Sequence, residues 1–317
     1  MHHFIEVTSL TIRAVPQQWQ LHWRNALCSV VQSSTFLLHG VVALGALHLA
    51  SMSPAQENRY LQTAAIHHFK AIDMFRCQVS SLHGRNEGVA LWFSILSTIN
   101  ELGFISNPNC LLGSQEDAID RLLLVFSLIR KHNRLVQSTS KPWTSSFNRL
   151  MQDLLHLSHE HMVLSDVSAV LRSLEDLNHH TTADPAEESV YSHAIYVLGA
   201  NYYLASVNPN EWAVPILWAN AVSQQYLELL QVKKPMALLI LALYCLLVLR
   251  NCPARWWMQW WEHILEAVQQ LLGGLWRDFL SCALRFIQTN GDTKGNFLQQ
   301  ASETSFSLHI ADIMSWL

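Results

Sequence analysis

One run of the sequence carries no charge over a length that suits a buried helix better than a membrane span. From Met236 to Leu249 fourteen residues are uncharged, with Lys233 and Lys234 before them and Arg250 after them. A helix that crosses a bilayer needs about 17 to 25 apolar residues, so this run is short for a span. The fold must therefore hide it in a core or in an apolar pocket.

A tryptophan-rich segment follows the charge-free run. Pro253 can open a helix at its first turn, and four of the six residues from 256 to 261 are tryptophans. Indole rings supply a large rigid apolar area and one hydrogen-bond donor each, which suits either a core or the wall of a ligand site. Core packing is the alternative for these rings. We predict a hydrophobic ligand site lined by Tyr244, Trp256, Trp257, Trp260 and Trp261.

The composition agrees with a large buried interior. Of the 317 residues 50% are hydrophobic and 14% are charged, against about 25% charged in an average soluble domain. A chain of this length can hold one large domain or two smaller ones with ample core. The net charge is −4 with histidine neutral. Because the basic residues form no stripe, no footprint for direct DNA binding is visible.

Helical periodicity recurs along the chain. Phe36 to Met52 reads as an apolar core helix, and Tyr60 to Phe75 as an amphipathic one. Asn86 to Leu102 reads as a helix with Gly103 as its C-cap. Phe4 to Val15 gives a weak strand signal, and no other sheet signal appears. We predict an all-α fold, a single large helical domain of about a dozen helices.

A polar segment from Asn178 to Ser189 is the predicted loop that bears on domain organisation. It could divide two subdomains. The helices on either side have similar apolar composition, however, which favours one continuous core.

Motifs of the common nucleotide-binding, hydrolase and metalloprotease classes are missing. The chain contains no GxGxxG, GxxxxGK[ST], GxSxG or HExxH pattern. In the densest histidine group, HLSHEH, helical spacing places Asp153, His156 and Glu160 on one stripe with His159 beside it, and these side chains could ligate zinc. A solvated helix face is the simpler interpretation, because leucines occupy the other side. We therefore predict no metal site and no cofactor.

Three histidines are candidates for acid or base catalysis if the protein is an enzyme. They are His68, His193 and His263. His68 lies on the apolar stripe of its predicted helix and is more simply a core histidine with a partner. A buried histidine or aspartate that faces the pocket without a partner would favour the enzyme interpretation.

The cysteines and the N-terminus both indicate an intracellular protein. Six cysteines occur without a CxxC pair, mostly inside apolar helical patterns, which predicts reduced and buried thiols. The N-terminus lacks the basic start and apolar run of a secretory signal. The cysteines are Cys28, Cys77, Cys110, Cys245, Cys252 and Cys282.

Four sequence blocks occur in the order found in one known family. They are LLHGVVALGALHLA (Leu37–Ala50), the pair Tyr60–Arg76 and Asn86–Ile99, Val214–Leu249, and Trp256–Leu280. Together they resemble the regulatory domain of fungal-specific transcription factors, in the branch similar to the sterol-uptake regulators. The resemblance covers nearly all of residues 1–317. It implies an all-α regulatory domain that binds a sterol in an apolar C-terminal pocket.

One feature departs from that family. Its members normally carry an N-terminal binuclear zinc cluster with CxxC spacings, and this chain has none of those spacings. We therefore expect a regulatory domain without a zinc cluster and without direct DNA binding.

Three functions remain open. The first is a regulator of sterol or secondary-metabolite genes that acts through a partner, as a homodimer or as a heterodimer with a full-length regulator. The second is a secondary-metabolism enzyme of the cyclase or isomerase type that reuses the apolar pocket. The third is a simple binding or membrane-peripheral protein. We expect a hydrophobic small-molecule ligand, no transmembrane segment, and a location in the nucleus or cytoplasm.

Overall fold

The fold is known from a computed structural model, which describes residues 1–12, 25, 28, 31–32, 34–78, 87–107, 118–137, 167–207, 213–251, 256–258 and 260–291. All regular elements in these ranges are helices, and none is a strand. The predicted all-α fold class is confirmed. The segment that begins at Phe4, for which the sequence also allows a strand, forms a π-helix over Phe4–Thr8 and then α1 over Ser9–Ile12.

The described ranges contain twelve α-helices, together with 3-10 helices at Pro54–Gln56 and Trp256–Met258. After α1 the α-helices are α2 (Thr35–Met52), α3 (Glu57–Gln78), α4 (Glu87–Ile105), α5 (Ala118–Gln137), α6 (Ser168–Thr181), α7 (Pro185–Val207), α8 (Ala213–Ala221), α9 (Gln224–Gln231), α10 (Pro235–Asn251), α11 (Trp260–Leu271) and α12 (Gly274–Gly291).

Contacts between residues divide the chain into two compact units. Unit 1 consists of Met1–Ser146 and Cys252–Trp261, and unit 2 of Phe147–Asn251 and Glu262–Leu317. The predicted loop from Asn178 to Ser189 does not separate them, because α6 and α7 both belong to unit 2.

That loop is also shorter than the sequence indicates. Helix α6 continues to Thr181 and α7 begins at Pro185, a residue suited to the first helical turn. The Asn178 side chain closes the turn, since its amide nitrogen donates to the Glu188 carbonyl at 3.0 Å and its oxygen accepts from the Thr182 hydroxyl at 2.9 Å. These contacts allow a polar stretch to remain helical at both ends.

Helix α2 forms the centre of unit 1. It packs against α3 and α4, and α4 packs against α5. Its sequence is apolar on all sides, so residues from Phe36 to Ala50 are buried around most of its circumference. Phe36 meets Phe75 and Phe93 edge to face, with ring centroids 5.3 and 5.2 Å away. These rings join three helices into one core.

By length and hydropathy alone, α2 could also cross a membrane. Among the described helices it is the single continuous one that qualifies, with a mean hydropathy of 1.6 over 18 residues. Gln224–Gln231 and Pro235–Arg250 qualify only together, as a pair bent by 106°. Within unit 1, 61% of the α2 window is buried. Its packing against α3 and α4 therefore accounts for its apolar sequence.

Gly103 is not a C-cap. Helix α4 runs through it to Ile105. A Cβ atom at Gly103 would lie 3.1 Å from Leu47 Cδ1 and 3.3 Å from Trp256 Cζ3. The glycine therefore permits a close approach inside unit 1, and the helix ends two residues later.

Helix α10 forms the centre of unit 2. It contains the charge-free run, and every residue from Met236 to Val248 is buried. A turn precedes it in which Lys233 adopts a left-handed conformation with φ of 57°, and Pro235 then opens the helix. Helices α7, α8, α9 and α12 pack against α10. The predicted buried helix is thus present, and its neighbours all belong to unit 2.

Candidate functional site

The tryptophan segment begins as a 3-10 helix and continues into α11. Trp257 and Trp261 are fully buried, with exposed fractions of 0% and 2%, whereas Trp256 is half-buried. The side chain of Trp260 lies outside the described residues. All four residues belong to unit 1, and Tyr244 belongs to unit 2.

Trp256 is held by partners that the sequence does not suggest. Its ring stacks on the imidazole of His48, with centroids 4.9 Å apart and planes 16° apart. Its indole nitrogen donates to the Thr11 hydroxyl at 2.9 Å. Its apolar surface packs against an α2–α3–α4 cluster that includes Leu47 and Phe104. Trp256 therefore connects the N-terminal segment to the core of unit 1.

His48 is a buried histidine with polar contacts on one ring nitrogen. Its Nδ1 lies 3.0 Å from the Thr8 hydroxyl oxygen and 3.3 Å from His3 Nε2. Burial, followed by the nearby His3 ring, lowers its pKa to about 4. His48 is therefore neutral at physiological pH.

His68, the first candidate for acid or base catalysis, is buried and has a partner. Its Nε2 lies 2.7 Å from Oε1 of Glu101, which belongs to α4. The ring also lies beside Phe104, with centroids 5.4 Å apart. The pair links α3 to α4 inside unit 1, as expected of a core histidine with a satisfied nitrogen.

The other two candidate histidines are exposed. His193 lies on α7 and His263 on α11, and both belong to unit 2. None of the three candidates is a buried histidine without a partner, the arrangement that would favour the enzyme interpretation.

A second histidine pair joins α2 to α3 near the surface of unit 1. The Nδ1 atoms of His39 and His67 are 2.7 Å apart. The pKa of each histidine is lowered, first by burial and then by neighbouring positive charge, including Lys70 in both cases. The two rings can thus share one proton between their nitrogen atoms.

The described residues contain no group of three or more His, Cys, Asp or Glu side chains that could hold a metal ion. The sequence group with zinc-ligand spacing lies outside these residues: Asp153, His156, His159 and Glu160. Cys245 and Cys282 are buried, and burial raises the pKa of both thiols. Cys77 is exposed, so the prediction of a buried thiol is wrong there.

Unit 2 contains an aromatic cluster around Tyr244. The Tyr244 ring stacks on Trp218, with centroids 4.2 Å apart and planes 21° apart, and Tyr226 meets Trp218 edge to face at 5.5 Å. The Tyr226 hydroxyl donates to the Ala237 carbonyl at 2.9 Å, and the Tyr202 hydroxyl to the Leu243 carbonyl at 2.8 Å. These phenols fix α7 and α9 to α10.

Two asparagines in unit 2 are the polar residues that the sequence analysis missed. Asn201 on α7 has no exposed surface, and neither of its amide atoms has a hydrogen-bond partner among the described residues. The amide atoms of Asn220 on α8 are also buried and unpaired within the same ranges. Their one sequence signal is the presence of polar residues within apolar helical stretches.

Comparison with known families gives one match. The model of the fungal specific transcription factor domain matches residues 1–169, more than half of the chain. The chain belongs to this family. The resemblance is thereby confirmed at the level of the fungal-specific transcription factor domain, which assigns the chain a role of the transcription-regulator type. No curated protein and no solved structure matches the chain.

The fungal-specific transcription factor match covers the larger part of unit 1. It includes α1 to α5 and extends to Ala169, near the start of α6. Tyr244, Trp218 and the two unpaired asparagines lie beyond it. Any ligand-binding role of these residues must therefore be argued from their own contacts.

Proposed function

We propose that this protein is an intracellular transcription regulator that senses a hydrophobic small molecule. The observation that carries the regulatory role is the family match over residues 1–169. The sterol-like character of the ligand, and the control of sterol or secondary-metabolite genes, rest on the resemblance to the sterol-uptake branch.

The interior of unit 2 supports the ligand-binding part of this proposal. Thirteen consecutive residues of α10, from Met236 to Val248, are buried. The stacked rings of Trp218 and Tyr244 add large rigid apolar surface. Apolar sites with a few buried polar groups are typical of small-molecule binding. Tyr244 is therefore the residue of the predicted ligand set that we assign to this site.

The tryptophan segment supports a ligand role less directly. Trp256 is engaged by His48 and Thr11, and Trp257 is fully buried. These contacts favour core packing for both rings. We retain Trp256, Trp257, Trp260 and Trp261 as candidates to be tested by substitution.

Action through a partner completes the proposed function. The chain has a net charge of −4 and no basic stripe, so the attraction to phosphate on which DNA binding depends is weak. We propose that it acts in the nucleus as a homodimer or as a heterodimer with a full-length regulator. No specific observation favours the enzyme interpretation, since His48 and His68, the buried histidines of the described residues, both have partners.

Mass spectrometry of compounds extracted from the purified protein tests the proposal. We expect an apolar compound to co-purify in near-stoichiometric amount. An unrelated helical protein, carrying the same affinity tag and purified in parallel, is the control. An extract indistinguishable from the control, together with no binding of dehydroergosterol to the protein, would contradict the ligand-sensing role.

A further inference from the structure

We propose that the exposed face of α3 is the interface through which two copies of this chain form an antiparallel homodimer. This inference rests on the proposed function, which includes action through a partner, and it identifies that partner as a second copy. It depends on two features of one helix. An exposed apolar pair lies near the middle of α3, and opposite charges are placed symmetrically on either side of it.

The apolar pair consists of Ile66 and Phe69, which lie on the solvent face of α3. Ile66 is 65% exposed and Phe69 is 59% exposed. The two side chains are neighbours on the helix surface, because residues three apart lie side by side. Among the described residues, no other two exposed large apolar side chains lie within four positions of each other. Removing this pair from water is favourable, so a surface that covers it gains stability.

A second copy of α3 can cover the pair symmetrically. Most homodimers have two-fold symmetry, in which the same surface patch of both copies meets itself. When the two-fold axis passes beside Ile66, perpendicular to the helix, the two α3 helices run antiparallel. Residues equally far before and after Ile66 then face each other across the interface. Ile66 meets Ile66 of the second copy, and Phe69 lies opposite Thr63.

The charges on the same face match this arrangement. Arg59 lies seven positions before Ile66 and Asp73 lies seven positions after it, and both side chains are exposed. Seven residues are close to two helical turns, so both charges lie on the face that carries Ile66. In the antiparallel pair, Arg59 of each copy faces Asp73 of the other, about 10 Å from the axis. Exposed ion pairs of this kind fix the register of an interface more than they add affinity.

Other registers of two α3 helices bring like charges together. An axis between residues 64 and 65 would place Arg59 opposite Lys70, and an axis between residues 67 and 68 would place it opposite Arg76. A parallel pair would place Arg59 opposite Arg59. In the register centred on Ile66, Lys70 instead faces Gln62, whose amide oxygen accepts from the ammonium group. The charges therefore select the antiparallel pair centred on Ile66.

The size of the surface indicates a reversible dimer. Helix α3 has 22 residues, which corresponds to a length of about 33 Å. One helix face is smaller than the surface of about 800 Å² per partner that is typical of stable complexes. We expect a dissociation constant in roughly the micromolar range.

Charge reversal at positions 59 and 73 tests the arrangement. Sedimentation equilibrium of the full chain at low salt should show a monomer–dimer equilibrium for the wild-type protein. Arg59→Asp and Asp73→Arg each place like charges at both ends of the antiparallel pair. Each variant should weaken the dimer by about tenfold. Combining both substitutions in one chain should restore the wild-type dissociation constant, because every acid again faces a base.

An equimolar mixture of the two single variants gives the most specific readout. The first variant carries two acidic residues at these positions and the second carries two basic residues. In the antiparallel pair, each acid of one variant faces a base of the other. The mixture should therefore form a heterodimer about as tightly as the wild-type protein forms its homodimer, although neither variant dimerises well alone.

Ile66→Asp and Leu124→Asp test the apolar centre. Ile66→Asp places two like charges at the axis and should abolish the dimer. Leu124 on α5 is 56% exposed, so Leu124→Asp is the matched control and should leave the dissociation constant unchanged. All the substituted side chains are exposed, and we expect thermal midpoints close to that of the wild-type protein.

The outcomes separate this interface from the proposed function. If the wild-type protein dimerises and the variants at positions 59, 66 and 73 dimerise equally tightly, the α3 interface is wrong and a homodimer through another surface stands. If the mixture of the two charge variants stays monomeric, the antiparallel register is wrong. A wild-type protein that is monomeric at every concentration would overturn the inference and leave a different protein as the partner. Ligand sensing is tested independently by the extracted compounds, so its failure is distinguishable from each of these results.

Discussion

At the scale of single residues, His48 shows how unit 1 joins distant parts of the chain. It contacts Thr8 and His3 through Nδ1 and Trp256 through its ring face. These contacts are made by a neutral imidazole, since burial holds the pKa of His48 near 4. Protonation would place a charge in a buried apolar site.

The lowered pKa predicts that acid destabilises the protein. The folded-state pKa of about 4 lies below the ordinary value of 6.5, so the unfolded chain binds the proton more readily. Stability is therefore fully present above pH 6.5 and falls as the pH drops toward 4, by at most about 3 kcal/mol from this group. His39 and His67, whose pKa values are also lowered, add to the same slope.

The measurement is the free energy of denaturant unfolding between pH 4 and 7.5. His48→Gln should give a flatter pH dependence than the wild-type protein over this interval. His193→Gln removes an exposed histidine and should retain the wild-type slope. If stability depends on pH in the same way for the wild-type protein and both variants, His48 does not have the lowered pKa.

The tryptophan series separates core from ligand site. Trp257→Ala and Trp261→Ala should each lower the free energy of unfolding by about 3 to 5 kcal/mol, because both rings are fully buried. Trp256→Ala should cost less, since its ring is half-buried. Thermal melting and dehydroergosterol binding are measured together for alanine variants at positions 256, 257, 260 and 261. A variant that stays folded but loses dehydroergosterol binding would place the substituted ring in the ligand site. If all four variants unfold and none loses binding selectively, the tryptophan segment belongs to the core.

At the scale of helices, close packing decides where small residues are needed. Gly103 on α4 faces Leu47 of α2 and Trp256 of the 3-10 helix so closely that an added methyl group would make these neighbours shift by a few tenths of an ångström. Gly40 on α2 has different surroundings, because a Cβ there would lie 3.9 Å from the nearest atoms of Leu96, an ordinary contact distance. Of these two helical glycines in unit 1, Gly40 thus has room for a side-chain methyl group, whereas Gly103 has little.

Alanine substitutions at the two glycines should change stability in opposite directions. Gly40→Ala should raise the thermal midpoint, because alanine favours the helix by roughly 0.5 to 1 kcal/mol over glycine. Gly103→Ala gains the same helix propensity, but its methyl group crowds Leu47 and Trp256. Overpacking of this kind costs about 1 to 3 kcal/mol. We expect a net loss. Equal midpoint shifts for the two variants would show that Gly103 does not permit a close approach.

At the scale of the whole molecule, charge limits what the chain binds directly. The net charge of −4 is spread over 317 residues of which 14% are charged. Sequence-independent attraction to DNA comes from lysine and arginine facing phosphates. The family match assigns a regulatory domain without supplying that basic surface.

We therefore expect the isolated chain not to bind duplex DNA specifically. Fluorescence anisotropy with labelled promoter duplexes should show no sequence-selective binding at low or physiological salt. A scrambled duplex of the same length is the control. Selective binding that weakens steeply with salt would overturn this prediction and indicate a DNA-reading surface in this chain.

The local properties of this protein follow from its sequence. The all-α class, the buried helix at α10 and the core helix α2 are predictable because periodicity and the absence of charge act within one helix. The family resemblance also depends on blocks that are continuous in the sequence, and the match over residues 1–169 confirms it at the domain level.

Long-range contacts were decided only by the tertiary structure. Trp256 meets Thr11 and His48 across more than two hundred residues of sequence, and His68 meets Glu101 on another helix. Gly103 looks like a helix end until the packing of Leu47 and Trp256 against it is known. Asn201 looks like any polar residue in a helix until its burial and its lack of a partner among the described residues are seen. Such features depend on which surfaces meet in three dimensions, and a pattern that repeats along one helix carries no information about its neighbours.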